Sequence, residues 1–150
     1  MMSKEYYMNL ALKEAKKAYK EDEVPVGCVL VLNDEVIAKA YNHKEKKNDT
    51  IAHAEIECIK KAEKKLNTWY LNNLEMYVTL EPCMMCTGAI INSRIKKIYI
   101  GTNDPKGGCF KSCIDIDNIK NINHHPKYEF GLLQDECASM LKDFFKQKRK

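Results

Sequence analysis

Two short groups of residues carry side chains that could bind a metal ion and move protons. TLEPCMMC, residues 79–86, holds two cysteines three positions apart, and His53-Ala54-Glu55 lies earlier in the chain. Thiolate and imidazole are zinc ligands, and a carboxylate beside them can transfer protons. Thiols three apart share one face of a helical turn, so both sulfurs can reach one ion. The two groups predict a metal centre with a carboxylate next to it.

Each group is predicted to begin a helix. Pro82 suits a helix start because its missing N–H has no partner there anyway. The partial positive charge of a helix N-terminus favours the thiolate form of Cys83 and Cys86. His53 and Glu55 are two positions apart, so they reach one site only if His53 stands at the very start of its helix.

The ligand count separates a structural zinc site from a catalytic one. His53, Cys83 and Cys86 make three ligands, whereas a structural site normally has four and a catalytic site leaves one position to water. The remaining candidates for a fourth ligand are Cys28, Cys58, Cys109, Cys113, Cys137, His43, His124 and His125. Cys28 and Cys58 occupy predicted core positions, and the polar loop before Pro126 places His124 and His125 in solvent. We favour an open site, with a closed one as the alternative.

Glu55 indicates which reaction such an open site could catalyse. Zinc-bound water ionises near neutral pH, which provides a hydroxide nucleophile. Attack on the amidine carbon of an aromatic base requires a proton to pass from the water to a ring nitrogen and then to the departing amine, and one carboxylate can do both. H-x-E followed by P-C-x-x-C is the signature of zinc nucleobase deaminases. Without the three ligands, Glu55 would read as an ordinary first-turn glutamate.

The elements that position these groups alternate along the chain. The patterns predict helices over 4–20 (capped by Ser3), 53–66, 83–91 and 135–146, a hairpin over 26–41 turning at Asn33-Asp34, and strands over 76–80, 96–101 and 128–133. This order is typical of an α/β sheet with parallel members and helices on both faces. Ligands of such sheets lie beyond the strand ends, beside helix N-termini.

Composition limits the classes of protein. A chain of 150 residues, 45% hydrophobic and 31% charged, predicts a single domain over residues 1–150. No apolar run approaches the roughly 20 residues of a membrane span, and the charged N-terminus does not resemble a signal peptide. We therefore expect no membrane association and a cytoplasmic location. Seven cysteines, an odd number, favour thiols and ligands over a disulfide framework.

The C-terminal stretch KDFFKQKRK, residues 142–150, is basic and carries Phe144 and Phe145. Its cations suit the negative end of a helix dipole, and charge alone favours this solvated helix end. The alternative is an edge that contacts a phosphate backbone.

Longer segments carry a more specific resemblance. They are EVPVGCVLV (23–31), AHAEI (52–56), YVTLEPCMMCTGAIINSRI (77–95), the loop 104–108 and DECASMLKDFF (135–145). Together they resemble the bacterial tRNA adenosine deaminase family over nearly the whole chain. The resemblance implies a cytidine-deaminase-like three-layer α/β/α sandwich around a central mixed five-stranded sheet. It further implies a homodimer with one zinc ion per subunit that converts adenosine to inosine at the wobble position of a tRNA anticodon stem-loop.

The resemblance also implies roles by position. His53, Cys83 and Cys86 correspond to the zinc ligands and Glu55 to the proton shuttle; Val24, Asn42 and Ala54 to contacts of the target base; Asp104, Lys106, Phe145 and Lys146 to contacts of the RNA. The chain departs from the family's usual residues at Tyr41, at His43 and over 49–51. Two other hypotheses stay open: a deaminase of a free base or nucleoside such as guanine or cytidine, and a non-catalytic, zinc-stabilised RNA-binding module.

Overall fold

The computed structural model describes residues 2–149 and contains a five-stranded sheet with helices on both faces. The helices are α1 Lys4–Lys20, α2 Ala54–Leu66, α3 Met84–Asn92 and α4 Gln134–Lys148, and a short 3₁₀ turn spans Ile116–Asn118. The strands are β1 Gly27–Leu32, β2 Glu35–Tyr41, β3 Glu75–Leu80, β4 Lys97–Thr102 and β5 Lys127–Phe130.

The sheet is mixed, with the strand order β2-β1-β3-β4-β5. β1 runs antiparallel to β2 and β3, whereas β3, β4 and β5 are parallel. The hairpin between β1 and β2 turns at Asn33 (φ 48°) and Asp34 (φ 66°), and two-residue hairpin loops of this kind need positive φ at both positions. The predicted α/β class and mixed five-stranded sheet are confirmed.

Alternation along β1 divides the core between the two faces. Cys28 and Leu30 pack into the cluster that contains α2 and α3, and Val29 and Val31 pack into the cluster that contains α1 and α4. Because successive side chains of a strand point to opposite faces, each face needs its own helical cover. The result is the three-layer α/β/α sandwich that the resemblance implied.

A glycine brings α4 close to the sheet. A Cβ on Gly101, in β4, would overlap the Cys137 side chain and lie 2.7 Å from the carbonyl oxygen of Thr79. Glycine is often found in a strand where other chain segments approach this closely. The C-terminal half of α4 consequently lies beside the carboxyl ends of β3 and β4, next to Leu80 and Thr102.

Local details differ from expectation in two places. β5 ends at Phe130, before the predicted end at residue 133, because Gly131 (φ 92°) and Leu133 (φ 52°) turn the chain into α4. His125 is exposed as expected, but the ring of His124 is half-buried and its Nε2 donates to the Ile95 carbonyl oxygen at 2.7 Å. The solvent-facing prediction was therefore wrong for His124. Within residues 2–149, the helices are too short or too polar to cross a bilayer.

Candidate active site

His53, Cys83 and Cys86 form a compact group of donor atoms. His53 is the N-cap of α2, Cys83 is the N-cap of α3, and Cys86 lies in the first turn of α3. The Nδ1 atom of His53 is 3.6 Å from the Sγ atom of each cysteine. Tetrahedral zinc, with Zn–N about 2.1 Å and Zn–S about 2.3 Å, places N and S about 3.6 Å apart. The donor set and its spacing fit zinc.

A fourth protein ligand is missing from this group. Over residues 2–149, these three are the only histidine, cysteine or acidic side chains whose ligand atoms all lie within 4.8 Å of one another. Cys28 and Cys58 are fully buried in the core, as predicted, and Cys109 and Cys113 stand apart from the cluster. The geometry is that of a three-ligand site.

The charges of the two thiols indicate a cation. A hydrogen bond from Cys86 lowers the pKa of Cys83 to about 4, with a further contribution from His53. The Cys83 thiolate and burial raise the pKa of Cys86. A second thiolate therefore forms in this buried place only when positive charge compensates for it, which a divalent metal ion provides.

Glu55 lies in the first turn of α2, as the His53 placement required. Its side chain is buried, with 4% exposure. Burial, reinforced by the negative charge of Cys83, raises the pKa of Glu55 to about 7. A carboxyl group that titrates near neutral pH can both accept and donate a proton, which is the property a proton shuttle needs.

A cavity of about 190 Å³ opens in front of these side chains. Its lining consists of Val24, Val26, Asn42, Lys44, His53, Ala54, Glu55, Leu80, Glu81, Cys83 and Asp104. The structure thus brings the predicted residues Val24, Asn42, Ala54 and Asp104 together with Glu55 and two of the ligands. Cys86 lies behind the wall, with no exposed surface.

Asn42 connects two parts of the cavity wall. Its Nδ2 donates to the Val24 carbonyl oxygen at 3.4 Å, and its Oδ1 accepts from the backbone N–H of Lys44 at 3.2 Å. Only 8% of the residue is exposed. These bonds hold the amide at the edge of the cavity.

A groove of about 650 Å³ adjoins the cavity through Val24, Leu80 and Asp104. The other residues that line the groove are Thr102, Asn103, Lys106, Ala138, Leu141, Lys142, Phe145, Lys148 and Arg149. Phe145 is 43% exposed, so an aromatic ring faces solvent among four cations. Lys146 is exposed but does not line the groove, and Lys150, part of the predicted basic edge, lies outside the described residues.

Two buried acids beside the cavity have no assigned role in the sequence-based predictions. Glu23, 1% exposed, accepts hydrogen bonds from the backbone N–H groups of Glu45 (3.0 Å) and Lys46 (2.6 Å) and so holds the loop that follows Asn42. Glu81, 2% exposed, accepts from a second loop. Burial opposes ionisation of Glu81, but the Ser112 hydroxyl and several backbone N–H groups outweigh it and lower its pKa. In the sequence, the only sign of either acid's burial is its position next to an apolar segment: Glu23 precedes residues 24–32, and Glu81 follows residues 76–80.

Comparison with known proteins assigns the family. Residues 2–149 match the MafB19-like deaminase family. The chain is 47% identical to the tRNA-specific adenosine deaminase of Bacillus subtilis, covering 100% of this chain and 93% of that protein. It is 45% identical to the tRNA-specific adenosine deaminase of Aquifex aeolicus, covering 99% and 97%. The chain belongs to the tRNA-specific adenosine deaminase family.

Solved structures agree with this assignment. A structure from studies of A-to-I editing by tRNA:A34 deaminases at the wobble position of transfer RNA superposes with a TM-score of 0.88 at 43% identity, covering 91% of this chain and 99% of that one. A guanine deaminase from Nitrosomonas europaea superposes with a TM-score of 0.82 at 20% identity, covering 96% of this chain and 85% of that one. The second likeness concerns the fold alone.

The departures from the usual residues of the tRNA-specific adenosine deaminase family lie outside the cavity. The rings of Tyr41 and His43 pack with centroids 4.1 Å apart, and the Tyr41 hydroxyl donates to Glu21. Asp49 accepts from the backbone N–H of Ile51 at 3.0 Å, which shapes the turn before His53. Residues 41, 43 and 49–51 are all absent from the lining of the cavity.

Proposed function

We propose that this chain is a zinc-dependent hydrolase that converts adenosine to inosine at the wobble position of a tRNA anticodon stem-loop. The observation that carries the proposal is that this chain, a member of the tRNA-specific adenosine deaminase family, has Glu55, His53 and Cys83 in the wall of one small cavity. The active unit is a single deaminase domain over residues 1–150. Because its proposed substrate is a tRNA, we place the protein in the cytoplasm.

The chemistry divides between the metal and the protein. Zinc held by His53, Cys83 and Cys86 supplies a Lewis acid that makes water nucleophilic near neutral pH. Glu55 takes a proton from the attacking water, delivers it to the ring nitrogen of adenine, and then transfers a proton to the departing amine, so that adenosine and water become inosine and ammonia. Glu55 lines the same cavity as His53 and Cys83, which keeps its carboxyl beside the place proposed for the water and the base.

The base is held by the residues around the cavity mouth. Asn42 and the Ala54 backbone hydrogen-bond the edge of adenine, and Val24 packs against its ring. Enzymes of this kind act on a base that has left its stack, and a single-stranded anticodon loop releases a base at low cost. The narrow cavity accepts the base, and the adjoining groove is left for the neighbouring nucleotides.

The groove has the character of a single-stranded RNA site. The exposed Phe145 ring offers a surface on which a base can stack, and the cations around it can contact phosphates. Asp104 and Lys106 line its inner side, beside the cavity. Lys146, on the outer side of α4, is proposed to reach phosphates further along the loop.

Replacing Lys142, Lys148 and Arg149 with alanine is expected to weaken binding of an anticodon stem-loop about tenfold and to flatten the slope of log K against log salt by about 2, because each lost contact to single-stranded RNA removes about 0.7. Fluorescence anisotropy across a salt series measures both quantities. The zinc content and the thermal unfolding temperature are expected to stay unchanged, since the three side chains are exposed.

The matched control is the alanine triple at Lys13, Lys16 and Lys20, which are exposed cations of α1 and do not line the groove. It removes the same charge and is expected to change the slope far less. Equal effects of the two triples would show that overall charge, and not the groove, attracts the RNA. Lys146→Ala alone then reports whether that side chain contributes.

Exposed apolar side chains support a homodimer. Met84, the first residue of α3, is 64% exposed, and Trp69, Tyr70 and Ile51 are 61%, 50% and 44% exposed. Large apolar side chains that are exposed on a single chain can mark a surface where another chain packs. Since Met84 directly follows the ligand Cys83, we propose that the partner subunit packs beside the metal centre.

The deciding experiment compares substrates. The purified, zinc-loaded protein is incubated with an anticodon stem-loop that carries adenosine at the wobble position, and separately with free adenosine, guanine and cytidine. We expect inosine in the RNA, and none when adenosine occupies only other loop positions. Turnover confined to the free bases or nucleosides would overturn the assignment to tRNA.

A further inference from the structure

Glu81 stands between β3 and the ligand Cys83 and has a buried carboxylate that takes no part in the proposed chemistry. The residue is 2% exposed, and its backbone N–H donates to the Thr102 carbonyl oxygen at 2.9 Å. Its side chain accepts hydrogen bonds from the residues that follow β4. These residues, 103–113, form the substrate loop.

Five donors converge on this carboxylate. Oε1 accepts from the Asp104 N–H at 3.0 Å and from the Ser112 hydroxyl at 2.5 Å. Oε2 accepts from the N–H groups of Phe110 (3.2 Å), Lys111 (2.8 Å) and Ser112 (2.9 Å). An ionised carboxylate is the side chain that can accept at both oxygens without presenting a donor of its own.

The five donors lie at the two ends of the substrate loop. Asp104 begins the loop, and residues 110–112 close it, so one side chain ties both ends to the segment that carries Cys83. The Cys109 N–H adds a bond to the Pro82 carbonyl oxygen at 2.9 Å. Between these ties, the Asp104 carboxylate accepts from the N–H groups of Lys106 and Gly107, both at 3.1 Å.

Gly108 shows how closely the loop is fitted to Glu81. A Cβ at this position would overlap the Glu81 carboxylate and would lie 2.7 Å from the Asp104 carbonyl oxygen. Both neighbours are fixed, one by its five hydrogen bonds and the other as backbone. A side chain at position 108 therefore has to displace the carboxylate or the loop.

We propose that Glu81 is a positioning residue for RNA: its carboxylate holds the substrate loop in the one arrangement that places Asp104 at the cavity mouth and Lys106 on the groove. The proposal rests on the proposed function for its substrate. It assigns Glu81 an effect on RNA binding, because all five hydrogen bonds of its carboxylate go to the loop. Glu55 and Cys86 lie on α2 and α3, and His53 and Cys83 are the N-caps of these helices.

Glu81→Gln keeps the size of the side chain but sets an NH₂ group against at least two N–H or O–H donors. Loss of buried hydrogen bonds to a charged acceptor is expected to raise KM for the anticodon stem-loop about tenfold or more, with kcat and zinc content nearly unchanged. Hydrogen–deuterium exchange at the amides of Asp104, Phe110, Lys111 and Ser112 is expected to accelerate. Glu14→Gln is the control, because Glu14 is also buried but pairs with Lys17 on α1.

Gly108→Ala is expected to raise KM and to accelerate exchange as Glu81→Gln does. Gly88→Ala, where an added Cβ meets nothing within 4 Å, is expected to leave KM and exchange at wild-type values.

Ser112→Ala removes one of the five bonds and is expected to raise KM about threefold. It decides the question if Glu81→Gln does not fold. Wild-type KM and exchange in these variants would overturn the proposal. So would loss of zinc with unchanged KM, which would assign Glu81 to the metal centre.

The failure of this proposal is distinguishable from failure of the proposed function. A wild-type protein that makes no inosine in any RNA contradicts the function. Exchange at the four loop amides does not depend on turnover and still decides whether Glu81 orders the loop.

Discussion

Glu55→Gln is expected to lower kcat for inosine formation by about 10²- to 10⁴-fold, the range that a lost proton-transfer group costs. Glutamine has the same size and fits the buried position of Glu55, which is 4% exposed. It can hydrogen-bond a water molecule but cannot take its proton. Single-turnover assays, in which digested RNA is separated into adenosine and inosine, measure the loss.

Zinc content and RNA affinity are expected to stay within about twofold of the wild type, because the ligands and the groove are untouched. Glu57→Gln provides the matched control: Glu57 lies two positions further along α2, pairs with Lys47 at 3.3 Å and does not line the cavity. If the Glu55→Gln protein holds zinc and retains more than about one tenth of the wild-type kcat, Glu55 is not the proton shuttle.

The same experiment separates an enzyme from a binding module. A wild-type protein that holds zinc and binds the stem-loop but forms no inosine would be the non-catalytic, zinc-stabilised module. In that case Glu55→Gln would change nothing measurable. A large fall in kcat with intact binding is expected only of an enzyme.

Cys83→Ala is expected to lower zinc affinity by more than about 100-fold. Loss of a residue that only hydrogen-bonds a ligand lowers metal affinity by about 10- to 100-fold, and loss of the ligand itself has a larger effect. Activity falls with the zinc. Because metal binding contributes to folding, a 100-fold loss corresponds to about 2.7 kcal/mol of linked stability, or about 5–10 °C in Tm for a domain of this size. Metal analysis after dialysis and a thermal melt measure the two effects.

Cys113→Ala is the control for this variant, because Cys113 is exposed, stands apart from the ligand group and donates a hydrogen bond to the Pro105 carbonyl oxygen at 3.2 Å. It is expected to keep one zinc ion per chain and the wild-type Tm. Treating the wild-type protein with a chelator should lower Tm by a similar amount to Cys83→Ala. A fully metallated, active Cys83→Ala protein would remove Cys83 from the ligand set.

Features that depend on neighbours along the chain were predictable from sequence. The turn at Asn33-Asp34, the cap at Ser3 and the helix starts at His53 and Cys83 all involve residues within one turn of each other. Spacing alone therefore predicted that the two thiols face one point and that Glu55 accompanies His53. The prediction of an RNA substrate came from the resemblance to a family, because the H-x-E and P-C-x-x-C signature is common to zinc deaminases that act on different bases.

Features that join distant segments were decided by the tertiary structure. Val24, Asn42 and Asp104 meet at one cavity because the order β2-β1-β3-β4-β5 and the strand directions bring the start of β1 and the ends of β2, β3 and β4 to the same region. Of the cations in the basic C-terminal stretch, Lys142, Lys148 and Arg149 line the groove, whereas Lys146 does not.

The burial of two acidic residues could not be predicted from the sequence. In the sequence, Glu23 and Glu81 look like any surface acid, because the backbone donors that make their burial tolerable come from loops about 20 to 30 residues away. Periodicity reports which face of an element is apolar, but not which other segment packs against it. The sequence by itself determined the elements and the chemistry of the ligand group; only the folded chain decided which loops frame the site and which carboxylates hold them in place.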